Sequence, residues 1–144
     1  MQGQAGVFLR NPKEKISFGI QRYVGECERL YGVLNARLAD RDYLAGSGRG
    51  KYSIADIACF GWANMTPMQG LELKDFPNVL AWVERIAARP AVQKGISVPT
   101  KPFLTYHSHQ QKMKDDPEYR SKHEEIMEVL KKAKEEYGYV YKSP

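Results

Sequence analysis

The chain has 144 residues with 42% hydrophobic residues, enough for one domain with a hydrophobic core. Its net charge of +5 comes from 22 basic and 17 acidic residues that are mixed along the chain, so it lacks the basic stripe that binds nucleic acid. No apolar run approaches the roughly 20 residues that span a bilayer, and the N-terminus does not resemble a signal peptide. We therefore expect a cytoplasmic protein with no nucleic-acid or membrane partner, in which Cys27 and Cys59 are buried free thiols.

The first strong helical pattern follows Asn11 and Pro12, which suit the cap and first position of a helix. Apolar residues then recur every three or four positions on one face, while the opposite face is charged. That apolar face consists of Ile16, Ile20, Tyr23, Cys27, Leu30, Tyr31, Leu34 and Leu38. We predict the central helix of a bundle, with a coiled-coil dimer as the alternative. Residues 1–10 are ambiguous on their own.

A glycine-rich segment, residues 40–51, comes next and is predicted to be a connector. Its Gly46–Lys51 part is a poor match to a phosphate-binding P-loop, so a flexible connector is the interpretation we adopt. That motif needs Ser or Thr after the lysine and a strand before the loop, whereas Tyr52 follows here and no strand pattern precedes.

The most informative stretch is 51–62, in which Asp56 is the one charged residue after Lys51. Ser53 stands three residues before Asp56, which is the spacing of a helix capping box. A helix that is apolar all round is usually buried. We therefore predict a buried helix from Ile54, with Ser53 and Asp56 as a structural cap and no catalytic role for Asp56.

Three further helical segments are predicted. One starts at residues 76–78 and ends or kinks at Pro90, and a single turn then runs to Gly95. Residues 98–102 have the composition of an extended linker. A last helix, capped by residues 116–118, carries an apolar stripe to Tyr137 and Gly138 and either docks on the bundle or projects toward a partner. The chain is predicted to be all-α, with a helical domain over residues 1–97 and a linker plus helical extension over 98–144.

The histidines suggest no metal site at this stage. His107 and His109 are two residues apart, and the only other histidine is His123. A metal site would need more ligands near the first two, so no metal is expected.

Four segments in this order resemble the C-terminal helical domain of cytosolic glutathione transferases. They are Tyr-Leu-Ala-Gly at residues 43–46, the capped segment at 52–58, Phe-Pro-Asn at 76–78 and Ala-Arg-Pro-Ala-Val at 88–92. Residues 20–23 and 29–34 are similar to one subgroup, the bacterial nu-class enzymes and the fungal relatives of the yeast prion-forming nitrogen regulator. The resemblance covers about residues 1–97 and implies a helical bundle, to which the tail adds an extra C-terminal helix.

The resemblance also implies a function. Members of this family carry an N-terminal thioredoxin-like domain that binds glutathione and stabilises its thiolate, and we expect this chain to lack it. We predict a glutathione S-transferase-like protein, active in thiol conjugation or glutathione-dependent reduction in its family, but not competent alone. The alternative is a non-catalytic helical protein-interaction module. No catalytic residue is assigned, and glutathione would be a co-substrate rather than a cofactor.

Site residues follow from the same resemblance. Arg22 is assigned to glutathione binding, since its fork of donors suits a carboxylate, although Gln21 stands where relatives usually have Glu. Its alternative role is that of a solvated or ion-paired residue on a helix face. Gln4, Phe8 and Trp62 are predicted to line the pocket for a hydrophobic electrophile. Without the thioredoxin-like domain an apolar face would be exposed, so a homodimer or a partner protein is expected.

Overall fold

The computed structural model describes residues 1–10, 13–99 and 105–137. These residues form seven α-helices and two short 3-10 helices, with no strand among them, so the all-α prediction is confirmed. The α-helices are α1 (Gln2–Arg10), α2 (Ser17–Arg37), α3 (Ile54–Asn64), α4 (Pro77–Ala87), α5 (Pro90–Gly95), α6 (Tyr106–Asp115) and α7 (Pro117–Tyr137). The 3-10 helices are Thr66–Gln69 and Leu73–Asp75. Within the described ranges, no helix combines the length and the apolar character that crossing a membrane requires.

Helix α2 is the central element of the bundle and contacts α1, α4 and α7. Its buried face carries Ile20, Val24, Cys27 and Tyr31, and Trp82 of α4 is fully buried in the same core. Burial of each large apolar side chain stabilises the fold by about 1.5–3 kcal/mol. The three- and four-residue spacing along α2 therefore builds the core around one helix.

The start of α2 differs from the prediction. Asn11 and Pro12 lie outside the described residues, and the helix begins at Ser17. Residues 13–16 are not helical, and Lys15 donates a hydrogen bond from Nζ to the carbonyl of Leu9 at 2.9 Å. Because α1 and α2 pack against each other, these residues are needed to reverse the chain between the two helices.

Helix α3 has the predicted capping box at its start. The prediction that the helix is buried on all sides is wrong. Ile54, Ile57 and Trp62 are 84%, 57% and 52% exposed. Cys59 on the same helix is exposed as well, so the prediction of two buried thiols is correct for Cys27 and wrong for Cys59. One face of α3 packs on the bundle, and the other leaves an apolar surface open.

The C-terminal helices complete the bundle. Helix α7 lies against α2 and α1, and its Leu130 and Ala133 join the main core. Lys134 pairs with Glu28 of α2. Of the two arrangements open for the last helix, the structure has the docked one. The boundary near residue 97 stays a prediction, and residues on both sides of it contribute to a single core.

Candidate functional site

Arg22 lies exposed on α2, at the edge of a shallow cavity of about 260 Å³. Phe18, Gln21, Glu26 and Tyr137 line the same cavity. The Phe18 and Tyr137 rings meet edge to face with their centroids 5.7 Å apart, so the end of α7 closes one side. The cavity therefore offers a cation and two aromatic rings to solvent, whereas Gln21 is buried.

The neighbouring carboxylate of Glu26 is engaged elsewhere. Arg29 donates two hydrogen bonds to it, from Nε at 2.9 Å and from Nη2 at 2.8 Å. These bonds, with the charges of Arg29 and Arg22, hold the pKa of Glu26 below its ordinary value. Arg22 contributes to this potential through its charge, while the bidentate pairing belongs to Arg29.

The three predicted pocket residues lie in different surroundings. Phe8 stacks on Tyr23 with ring centroids 5.2 Å apart, and a Cβ at Gly19 would lie only 2.5 Å from the Phe8 ring. Gln4, one turn before Phe8 on α1, is exposed. Trp62 lies over the start of α1 on the exposed side of α3. Their role in electrophile binding stays a prediction.

Trp62 is part of an open groove of about 340 Å³ between α2 and α3. The groove is mainly apolar, with Arg37 and Gln2 at its margins. Its apolar and aromatic lining consists of Leu30, Tyr31, Val33, Leu34, Ala58, Cys59, Trp62 and Ala63. Although Cys59 is exposed, the surrounding groove shields its thiol from part of the solvent; this desolvation, with the Asp56 charge, raises the pKa of the thiol, so it is protonated at neutral pH.

The floor of this groove is held by the hydroxyl of Tyr31. It accepts a hydrogen bond from Gln2 Nε2 at 3.0 Å and lies within 3.3 Å of the Trp62 carbonyl, Thr66 Oγ1 and Gln69 Oε1. Burial raises the pKa of the Tyr31 hydroxyl, so it stays protonated and remains a donor. One side chain thereby ties α2 to α1, α3 and the 3-10 helix Thr66–Gln69.

Ser53 and Asp56 form a capping box at the start of α3. Asp56 Oδ2 accepts hydrogen bonds from the Ser53 N–H at 2.9 Å and the Ser53 hydroxyl at 3.1 Å. Oδ1 accepts from the Leu44 N–H at 3.0 Å and from Trp82 Nε1 at 2.9 Å. Burial raises the pKa of Asp56, but these hydrogen bonds outweigh it and leave the pKa below its ordinary value. Asp56 is thus enclosed by structural donors.

The fold also assembles a group that sequence spacing did not reveal. Glu72, His109 and His123 come from three separate elements, and their ligand atoms all lie within 4.8 Å of one another. His107, by contrast, is exposed. The only sequence signal was the position of His123 on the apolar stripe of α7, where a polar ring needs a buried partner.

Comparison with known proteins finds a matching family and relatives of several kinds. The model of the glutathione S-transferase C-terminal domain matches residues 7–90. Disulfide-bond oxidoreductase YfcG of Escherichia coli is 42% identical over 96 residues, which cover 67% of this chain and 43% of that protein. The glutathione S-transferase-like protein tpcF of Aspergillus fumigatus is 39% identical over 106 residues, which cover 66% of this chain and 47% of that protein. The transcriptional regulator URE2 of Saccharomyces cerevisiae is 29% identical over 126 residues, and the match covers 67% of this chain and 36% of that protein.

Among the solved structures that share the fold are two with glutathione bound. A glutathione transferase from Burkholderia graminis, with two glutathione molecules bound per subunit, has a TM-score of 0.59 and 34% identity over 70% of this chain and 44% of that one. Ure2p in complex with glutathione has a TM-score of 0.59 and 33% identity, and the match covers 65% of this chain and 45% of that one. The chain therefore spans less than half the length of these proteins.

Proposed function

Because the chain belongs to the family of glutathione S-transferase C-terminal domains, we propose that it is the helical half of a glutathione transferase-like protein. In this proposal Arg22 binds a carboxylate of glutathione. The observation that carries the proposal is the exposed guanidinium of Arg22 at the edge of the cavity between α2 and the end of α7.

Two features support this role for Arg22. Its fork of N–H donors matches a carboxylate, and the nearby Glu26 carboxylate already takes two hydrogen bonds from Arg29. Two structural neighbours, the Burkholderia graminis enzyme and Ure2p, were solved with glutathione bound.

Thiol activation is proposed to come from outside the described helices. A free thiol has a pKa of about 8.5 and needs positive potential or donors to ionise at neutral pH. In this proposal Arg22 is paired with the glutathione carboxylate and Arg29 with Glu26, so neither is left to stabilise a thiolate. Conjugation or reduction thus requires a thioredoxin-like domain, in the same protein or from another chain.

The remaining parts of the proposal concern location and substrate. We place the protein in the reducing cytoplasm, where the free thiols Cys27 and Cys59 would persist. A hydrophobic electrophile would contact Gln4, Phe8 and Trp62, of which Trp62 lies in an apolar groove.

Calorimetric titration with glutathione tests the assignment of Arg22. Loss of charge-assisted hydrogen bonds should weaken binding by about tenfold or more in Arg22→Ala. Lys131→Ala is the control, because it removes a positive charge from an exposed residue of α7 that does not line the cavity. Equal affinity of wild type and Arg22→Ala, or no binding by the wild type at millimolar glutathione, would contradict the proposal.

A conjugation assay with a generic electrophile tests the second part. The 144-residue chain alone should leave the rate at the uncatalysed value. Acceleration that disappears in Arg22→Ala, with circular dichroism unchanged, would show that the chain activates the thiol itself.

A non-catalytic interaction module is the second candidate, favoured by one feature of the surface. Leu30 and Val33 of α2 and Ile54, Ile57 and Trp62 of α3 are all exposed, and we call them the α2–α3 apolar surface. Exposed apolar residues on neighbouring helices are typical of binding surfaces. We propose that a second copy of the chain covers this surface, with a different protein as the alternative.

Sedimentation of the protein at about tens of micromolar measures its mass and tests the dimer, because a dimer with a micromolar dissociation constant is mostly associated at that concentration. Trp62→Glu should shift the mass from dimer to monomer. Ile16→Glu, which adds the same charge at an exposed apolar residue near the far end of α2, should leave the dimer intact. A monomeric wild type would refute the homodimer.

A further inference from the structure

Three side chains from distant parts of the sequence converge beneath the C-terminal helices. Glu72 precedes the 3-10 helix Leu73–Asp75, His109 lies on α6 and His123 on α7. The Nε2 atoms of both histidines lie 3.7 Å from the same carboxylate oxygen, Oε1 of Glu72. The imidazole rings are tilted against each other with centroids 4.9 Å apart.

The spacing within this cluster is too long for direct hydrogen bonds. Such bonds join heavy atoms at about 2.7–3.2 Å, so a separation of 3.7 Å leaves the carboxylate and both ring nitrogens facing a common gap. The rings are nevertheless buried, with His109 1% and His123 9% exposed. A ligand placed between these three groups would contact both ring nitrogens and the carboxylate at once.

A metal ion fits that gap. Tetrahedral Zn²⁺ holds histidine nitrogens and carboxylate oxygens at about 2.0–2.2 Å, which places its ligand atoms roughly 3.4 Å apart. The two distances of 3.7 Å need to shorten by only a few tenths of an ångström, and the remaining pair starts within 4.8 Å. Two histidines and one glutamate form a ligand set that zinc uses in proteins.

The orientation of His109 is fixed from behind. Its Nδ1 lies 2.8 Å from the hydroxyl oxygen of Tyr119, which turns Nε2 toward Glu72. In the tautomer that carries its proton on Nδ1, His109 donates a hydrogen bond to the Tyr119 hydroxyl oxygen. The lone pair of Nε2 is then available to a metal ion. Histidine ligands are commonly held by a hydrogen bond from the second ring nitrogen in this way.

Glu72 gives the cluster a negative charge and a connection to solvent. Its carboxylate is negatively charged at neutral pH, as glutamate ordinarily is, and it is the one charged ligand of the three. Its side chain is 20% exposed, which gives an ion and a water molecule access. On the other side, His123 and Tyr119 line a cavity of about 570 Å³.

We propose that Glu72, His109 and His123 bind a divalent transition-metal ion such as Zn²⁺, with water as a fourth ligand. The ligands join residues on both sides of the 100–104 segment. Bound metal therefore fastens α6 and α7 to the part of the chain that matches the transferase family, independently of glutathione.

Calorimetric titration of the full chain with ZnCl₂ in metal-free buffer tests the site. One ion should bind per chain, and its binding should raise the unfolding temperature. Glu72→Gln and His123→Gln each remove one ligand and should weaken binding by about tenfold or more. His107→Gln is the matched control: His107 lies on α6 as well, but it is exposed and should bind no metal.

A second measurement needs no substitution. Zn²⁺ should shift the ring resonances of His109 and His123 in the wild-type protein and leave those of His107 in place. Absence of binding, shifts at His107 alone, or equal affinity in His123→Gln and wild type would each overturn the proposal.

Discussion

Asp56 is a single buried carboxylate on which three segments of the chain converge. The sequence predicted its capping role from its spacing to Ser53. It could not predict the donors from Leu44 and Trp82, because those lie 12 and 26 residues away and meet Asp56 only in the folded chain. The cap is thus also a link between α3, the glycine-rich loop and α4.

Asp56→Ala should therefore cost more than a lost cap. Removing the carboxylate leaves the buried Trp82 Nε1–H without its acceptor, so we expect a loss of about 3 kcal/mol or more in the free energy of unfolding. Ser53→Ala, which removes only the hydroxyl of the capping box, should cost about 1 kcal/mol. Urea denaturation measures both, and equal losses in the two variants would contradict this account.

The same carboxylate predicts a pH dependence. Its pKa is lower in the folded than in the unfolded chain. Its contribution is therefore complete above the unfolded pKa of about 3.8 and is lost as the pH falls through the folded value. Between pH 5 and pH 3 (about the range of carboxyl titration), wild type should lose more stability than Asp56→Asn. Parallel curves for the two proteins would exclude this contribution.

At the scale of single helices, prediction succeeded where caps and apolar stripes coincide. Helix α7 begins at Pro117, behind the Asp116 cap, where Asp116 Oδ1 accepts the Tyr119 N–H. Helix α6 gave no such signal, because its Tyr106–Asp115 segment is largely polar and its capping box pairs Thr105 with Ser108 rather than with Glu or Gln.

Helix α3 illustrates a different limit. Its composition indicated burial, but five of its eight apolar residues are exposed. An apolar pattern shows that a face prefers to leave water, but it does not distinguish packing within the chain from packing on another domain or subunit.

Gly70 provides a test of the packing between elements. Its φ of +71° is left-handed, and an added Cβ would lie 2.8 Å from Leu9 Cδ2 and 3.4 Å from Leu130 Cδ2. Gly70→Ala should lower the free energy of unfolding by at least about 1–2 kcal/mol. Gly61→Ala, in α3 with open space around it, should instead be neutral or stabilising by up to about 1 kcal/mol. Equal effects of the two changes in thermal unfolding would contradict the structure.

For the whole molecule, the main finding is that α7 shares the core of the family domain. The sequence suggested a boundary near residue 97 because residues 98–102 resemble a linker. Composition cannot reveal that Leu130 and Ala133 return to the same core, nor that Glu72 meets two histidines from beyond the linker. Such long-range contacts depend on the fold as a whole.

A substitution in α7 tests this shared core. Leu130→Ala should cost about 2–4 kcal/mol, since the side chain is buried. Both tryptophans, Trp62 and Trp82, belong to residues 1–97, so their fluorescence reports that part alone. The denaturation midpoint followed by tryptophan fluorescence should fall in Leu130→Ala and stay unchanged in Lys131→Ala, the control at an exposed residue. An unchanged midpoint in Leu130→Ala would show that the extension unfolds separately.

The assignment of glutathione to the α2 cavity is the central claim about function. Titration of the isotopically labelled protein with glutathione, followed by the amide resonances, locates the ligand directly. We predict that the shifts concentrate at Phe18, Gln21, Arg22, Glu26 and Tyr137. Shifts confined to the groove at Leu30 and Trp62, or no shifts at millimolar glutathione, would contradict the claim.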